Sequence, residues 1–146
     1  MEKLTFLKSI NAPKEKVWKT LWEDETYRKW TSVFSPSSYA DTDWKEGSKV
    51  LFLDGEGSGM VSKIIANRPN EFMSFRHLGE VHNGVEDTES EKVKGWAGAL
   101  ENYTVKEADG VTELLVEMDI NEEHKEMFMQ MFPKALEQVK VLSESH

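Results

Sequence analysis

The last quarter of the chain carries the feature that most narrows the possible folds. Between residues 121 and 144, Met127, Phe128, Met131, Phe132, Ala135, Leu136, Val139 and Leu142 recur at helical period and make one long apolar face. A face of that length has to be covered by another layer of structure. Asn121 supplies an N-terminal cap, and Glu122 and Glu123 put negative charge into the first turn. Pro133 sits inside the pattern and predicts a kink, or a turn or two split off ahead of the main helix.

The covering layer is read from the segments upstream. SYADTD, GSKVLFLD, SGMVSKIIA, EFMSFRHL, ALENYTVKE and VTELLVEMDI are short, strand-like and separated by Gly, Asp, Asn or Pro, the pattern of an antiparallel meander. Residues 2 to 11 are also extended, with Leu4, Phe6 and Ile10 alternating and Lys8 interrupting their face. In INAPKEKVWKTLW (10–22), Asn11 is a plausible cap, Pro13 fits the first turn of a helix, and Val17, Trp18, Leu21 and Trp22 form an amphipathic stripe. A second short helix is expected from Asp24 to Trp30, with the chain released at Ser35-Pro36. The stretch GEVHNGVEDTESEKVKGWA (79–97) is acidic and glycine-bearing, and reads as one long irregular connection.

One hairpin can be solved outright. If Asp109-Gly110 is a two-residue turn, Ala108 pairs with Val111 and Lys106 falls opposite Glu113, so opposite charges share a face. Alternation then sets Val105 opposite Leu114 and Tyr103 opposite Val116 on the other face, and Glu101 opposite Met118, pointing inward. The preceding strand has two possible phases. With Arg76 exposed, Met73, Phe75 and His77 face in; the opposite phase buries Arg76 with Phe72 and Ser74. A lone arginine is harder to bury than a neutral imidazole, which favours the first.

The matching pieces Ala12-Pro13-Lys14-Glu15-Lys16-Val17-Trp18, Trp30, Asp43-Trp44-Lys45-Glu46-Gly47-Ser48 and the run from Gly59 through Ile65 to Pro69 carry a resemblance. In their order the chain resembles the SRPBCC or START-like superfamily, within it the branch named after the activator of the ninety-kilodalton heat-shock protein's ATPase. Gly47-Ser48 stands where members of that branch often have Gly-Gly. The resemblance implies a single α+β domain over 1–146 with a helix-grip fold: two short helices after the first strand and a curved antiparallel sheet of about six to seven strands around the long C-terminal helix. It also implies a deep, mainly apolar cavity, which members use to hold lipids, hormones or polyketides and in a few cases to catalyse reactions. None of the polar residues of the superfamily's polyketide cyclases is matched here by motif.

Composition excludes several classes. There are no cysteines, so disulfides, thiolate metal sites and cysteine nucleophiles are ruled out. With 27 acidic against 18 basic side chains the formal charge is −9, which repels a phosphate backbone, and the basic residues are scattered; nucleic acid is not an expected partner. No apolar run has signal-peptide or membrane-spanning length, so a cytoplasmic location without membrane insertion is expected. Gly55-Glu56-Gly57-Ser58-Gly59 joins two strands with no helix after it, so it reads as a flexible hairpin and not a phosphate loop. His77, His82, His124 and His146 form no metal-ligand spacing, and Asn83 to Asp87 lacks the alternating oxygens of a calcium loop; neither metal nor cofactor is expected.

Glu101, His77 and Tyr103 are then the one polar constellation projecting into apolar space, able to orient a ligand or act as acid and base, with Glu101 and His77 as the catalytic candidates. The alternative is that Glu101 is merely bonded to a neighbour or lies in water at the sheet's open end. Trp18, Trp22, Phe75, Met127, Met131 and Phe132 complete the expected ligand-binding set. The sequence therefore points to a protein, monomer or homodimer, that binds a small hydrophobic or amphipathic molecule between sheet and long helix. A chaperone-associated or stress-response module binding a protein partner, and a cyclase- or hydrolase-like enzyme using Glu101, are the alternatives. An interior void of ~300 Å³ or more would favour ligand binding.

Overall fold

In the computed structural model, which describes residues 1–145, the chain runs β1 (Glu2–Ile10), α1 (Lys14–Trp22), α2 (Asp24–Thr31), β2 (Tyr39–Asp41), β3 (Lys49–Leu53), β4 (Ser58–Arg68), β5 (Phe72–His82), β6 (Val85–Asp87), α3 (Glu91–Lys94), β7 (Leu100–Ala108), β8 (Val111–Ile120) and α4 (Glu122–Glu144). His146 lies outside the described residues. All pairings are antiparallel, in the spatial order β1-β8-β7-β5-β4-β3-β2, and β6 adds to β5 in line with β7. This is the α+β helix-grip architecture, with eight strands in place of six to seven.

Charge and turn chemistry set the register where they were most explicit. Lys106 lies opposite Glu113, Tyr103 opposite Val116 and Glu101 opposite Met118. Asp109 and Gly110 take φ of 54° and 80°, as a tight two-residue turn demands. On β5, Met73, Phe75 and His77 are buried and Arg76 is exposed, so the first of the two phases is the real one; Ser74 is also buried, bonded to Asn102. Lys8 does share the inner face of β1, and it is accommodated there by an ion pair with Glu137 of α4. Two slips in the β4–β5 pairing, at Val61/Ser62 and at Ile64/Ala66, are bulges, which bend and twist a sheet and help it curve around the helix.

α4 closes the concave side. Its buried residues are Phe132, Ala135, Leu136, Val139 and Ser143, and the Ser143 hydroxyl donates to Thr20 of α1 at 3.0 Å in the interior. Asn121 caps it as expected, accepting from the His124 N–H. Three local expectations are corrected. Pro133 does not split the helix, which runs unbroken through it, because Phe132 on one side and Ala135 and Leu136 on the other are held against the same core. Asn11 does not cap α1: Pro13 occupies the cap position without a side-chain bond, and the Asn11 N–H instead meets Glu144. Residues 79–97 are not one irregular connection, since they contain the end of β5, the Asn83-Gly84 turn, β6 and α3.

That extra hairpin depends on Gly79. A Cβ added there would lie 2.1 Å from the Asp87 carbonyl oxygen, so only glycine lets the chain after β6 pass so close to β5. Gly79→Ala is therefore expected to lower unfolding free energy by about 1–3 kcal/mol, measured by urea denaturation.

Candidate functional site

Apolar residues from three helices and four strands fail to meet beneath the first half of α4. A chamber of about 310 Å³ remains there, bounded by Trp22 of α1, Tyr27 and Trp30 of α2, Phe52 and Met60 of β3 and β4, Phe75 and Tyr103 of β5 and β7, and Met127, Phe128, Met131 and Phe132 of α4. A second, of about 230 Å³, lies beyond it, with Trp96, Met118 and His124 on its wall. Met60, His77, Glu101, Met127 and Phe128 border both, so the two chambers are separated by this shared partition.

Of the nine residues expected to contact a ligand, Trp22, Phe75, His77, Glu101, Tyr103, Met127, Met131 and Phe132 line the first chamber. Trp18 does not: it is half-buried and packs against Trp22 with ring centroids 6.0 Å apart, outside the lining. The buried face of α1 is centred on Val17, Thr20 and Leu21, which leaves Trp18 on its flank, whereas Trp22 at the helix end lies among Trp44, Phe75 and Tyr103 at 4.9–5.5 Å. Residues 79–97 border the second chamber through Glu80 and Trp96 and do not reach the first. Tyr27, Phe34, Phe52 and Met60 are lining residues that the sequence reading did not name. Tyr27 could have been found from its spacing to Trp30; Phe52 and Met60 lie on strands whose inward phase no charge pair reports.

The polar side chains form a chain of hydrogen bonds along the partition. Tyr103 donates its hydroxyl to Glu101 Oε2, Glu101 Oε1 lies 3.1 Å from His77 Nε2, and His77 Nδ1 lies 2.6 Å from Ser62 Oγ. Ser62 is fully buried and has His77 as its side-chain partner, and the other imidazole nitrogen, Nε2, faces the carboxylate. Ser–His–Glu here is not a nucleophile triad, because Ser62 borders neither chamber and the exposed end of the chain is the carboxylate. Ser62 fixes the imidazole, the imidazole and Tyr103 fix Glu101, and Glu101 presents an oriented acceptor to the chambers. Such a group can hold a ligand's donor or receive a proton from one already seated.

Burial, then the neighbouring Glu101 charge, push the phenol of Tyr103 well above its ordinary range, and its hydrogen bond to that carboxylate adds to the shift. Tyr27 is pushed up by the same two causes, burial first, and makes no hydrogen bond to Glu101. Both phenols therefore stay protonated donors at any physiological pH.

A concave antiparallel sheet gripping a C-terminal helix over an aromatic-walled chamber defines the helix-grip, START-like class. Within it the chain belongs to the family described as "Activator of Hsp90 ATPase homolog 1-like protein", whose model matches residues 11–144. Among curated proteins none matches in sequence. Solved structures share the fold: protein MLL2253 from Mesorhizobium loti has a TM-score of 0.74 at 14% identity, covering 97% of this chain and 96% of that one. The Aha1 dimer from Colwellia psychrerythraea has a TM-score of 0.68 at 16% identity, over 99% and 98%. DynU16, from the dynemicin biosynthetic locus, has a TM-score of 0.74 at 13% identity; 99% of this chain is covered, but the match spans only 48% of DynU16. No helix among the described residues is long and apolar enough to cross a membrane.

An alkaline titration tests the environment of the two phenols. A phenol whose folded pKa is raised stabilises the fold fully below its unfolded value near 10, and that contribution is lost as pH climbs above it, because only the unfolded chain then sheds the proton. Phenolate absorbance from Tyr27 and Tyr103 is thus expected only together with unfolding, and Tyr27→Phe and Tyr103→Phe should leave the titration of the folded protein unchanged.

Proposed function

We propose that this protein binds a small hydrophobic or amphipathic molecule in the chamber between the sheet and α4. The observation that carries the reading is the chamber itself: about 310 Å³ left open by a chain that has aromatic side chains on every side of it. A core built only for stability would lose free energy by leaving such a void, so the space is better explained by an occupant. Met127 is 44% exposed and Met131 half-buried at the helix start, and flexible thioethers there can yield to an entering molecule. Glu101, held by Tyr103 and His77, supplies an oriented charged acceptor for an amphipathic ligand's polar end.

A protein-binding role would call for a contiguous exposed apolar patch. The large apolar side chains that are exposed among the described residues, Met1, Leu7, Val85, Met127, Met129 and Val141, are divided among the residue before β1, β1 itself, β6 and α4, which favours the small-molecule reading.

The test is native mass spectrometry against a panel of lipids and aromatic metabolites, repeated with Met131→Trp, which fills the chamber from its helix side. Wild-type protein should retain a bound species, and the variant should bind it at least about tenfold more weakly while unfolding at similar denaturant concentration. Absence of any bound species, or full binding by the filled variant, would overturn the proposal.

A further inference from the structure

Two residues of the first chamber's wall, Trp22 and Tyr27, carry donors with no hydrogen-bond acceptor in the chain, and that of Trp22 is fully buried. Trp22 is 6% exposed and its indole N–H has no hydrogen-bond acceptor, whereas the indole of Trp30 close by reaches the Leu21 carbonyl at 3.1 Å. Tyr27 is 5% exposed, and its hydroxyl feels the charge of Glu101 without being bonded to it. Buried donors in native proteins find acceptors, from the chain, from water or from a ligand. Here both belong to residues that line a space large enough to admit one.

The charges around the chambers restrict what that acceptor can be. Among the described residues lining either chamber there is no lysine or arginine, while Glu101 and Asp54 line the first and Glu80, Glu101 and Asp119 the second. A carboxylate or phosphate entering would lose its hydration, meet no cation and lie near Glu101. A cation fares better with Glu101, but that carboxylate already accepts from Tyr103 and His77, and a cation leaves Trp22 and Tyr27 unsatisfied. The complement is an oxygen that accepts without being charged. The rings of Trp22, Phe52, Phe75 and Tyr103 meet one another edge to face, which provides flat walls for a ring system.

We infer, on the footing of the binding reading above, that the chamber selects an uncharged ring compound that offers a carbonyl or ether oxygen to the Trp22 and Tyr27 donors. Glu101 acts as the discriminator, excluding anionic analogues of the same shape.

Four probes of one shape separate the terms: naphthalene, acetylnaphthalene, naphthoate and naphthylmethylammonium, compared by equilibrium dialysis at neutral pH. The ketone should bind about tenfold more tightly than naphthalene and than either ion. Trp22→Phe and Tyr27→Phe should each shrink the ketone-to-naphthalene ratio about threefold or more, and Glu101→Gln should raise naphthoate affinity selectively. Tyr27→Phe removes a hydroxyl that bonds to no side chain near it, so its fold is expected to survive. Tightest binding by either ion, or a ratio unmoved in both variants, overturns the inference. Naphthalene bound without preference for the ketone sinks this inference alone; no binding by any of the four sinks it together with the cavity reading.

Discussion

The packing of the second half of α4 into the concave sheet is the interaction on which the rest of the structure depends. Phe132, Ala135, Leu136 and Val139 are buried against residues from β1, β5, β7 and β8, and Phe132 stacks on Phe6 with centroids 5.1 Å apart. This anchoring fixes how far the helix stands from the sheet. Beneath its first half the side chains of helix and sheet leave a chamber of about 310 Å³ between them.

The partition between the chambers shows how a charged group is tolerated in such a place. Glu101 projects inward because β7 and β8 are locked in register, and nothing about that register makes a carboxylate welcome there. What makes it stable is that Tyr103, two residues along the same face, and His77, from the neighbouring strand, both donate to it. His77 in turn is aimed by Ser62, beside the first β4–β5 slip. A bulge that bends the sheet also sets the position of the last member of the polar chain.

Much of this was legible in the sequence, and the reasons are specific. Lys106 opposite Glu113 across Asp109-Gly110 fixed the inward face of β7, and with it Glu101 and Tyr103. The cost of burying Arg76 fixed β5, and with it His77. Where no such marker exists the reading stopped. Ser62 could not be linked to His77 because slips in the β4–β5 pairing break the alternation that would have aligned them. The Asn83-Gly84 turn, a strong hairpin signal, was masked by the acidic residues after it, which read as solvated loop. Trp18 and Trp22 are equivalent by helical spacing, and only the position of the helix end separates a flank residue from a wall residue. Periodicity reports which face is inward; it carries no information on whether the opposite face arrives to fill the space.

The placement of Pro133 gives α4 two mechanical halves. All of its buried residues lie from Phe132 onward, while the turns from Glu122 to Met131 have none. Proline has no amide hydrogen, so the helical ladder is one rung short at the boundary between them. The leading turns can fray as a unit of low local stability while the trailing turns keep their grip on the sheet. The local stability of the first ten helical residues is thereby separable from that of the sheet–helix core.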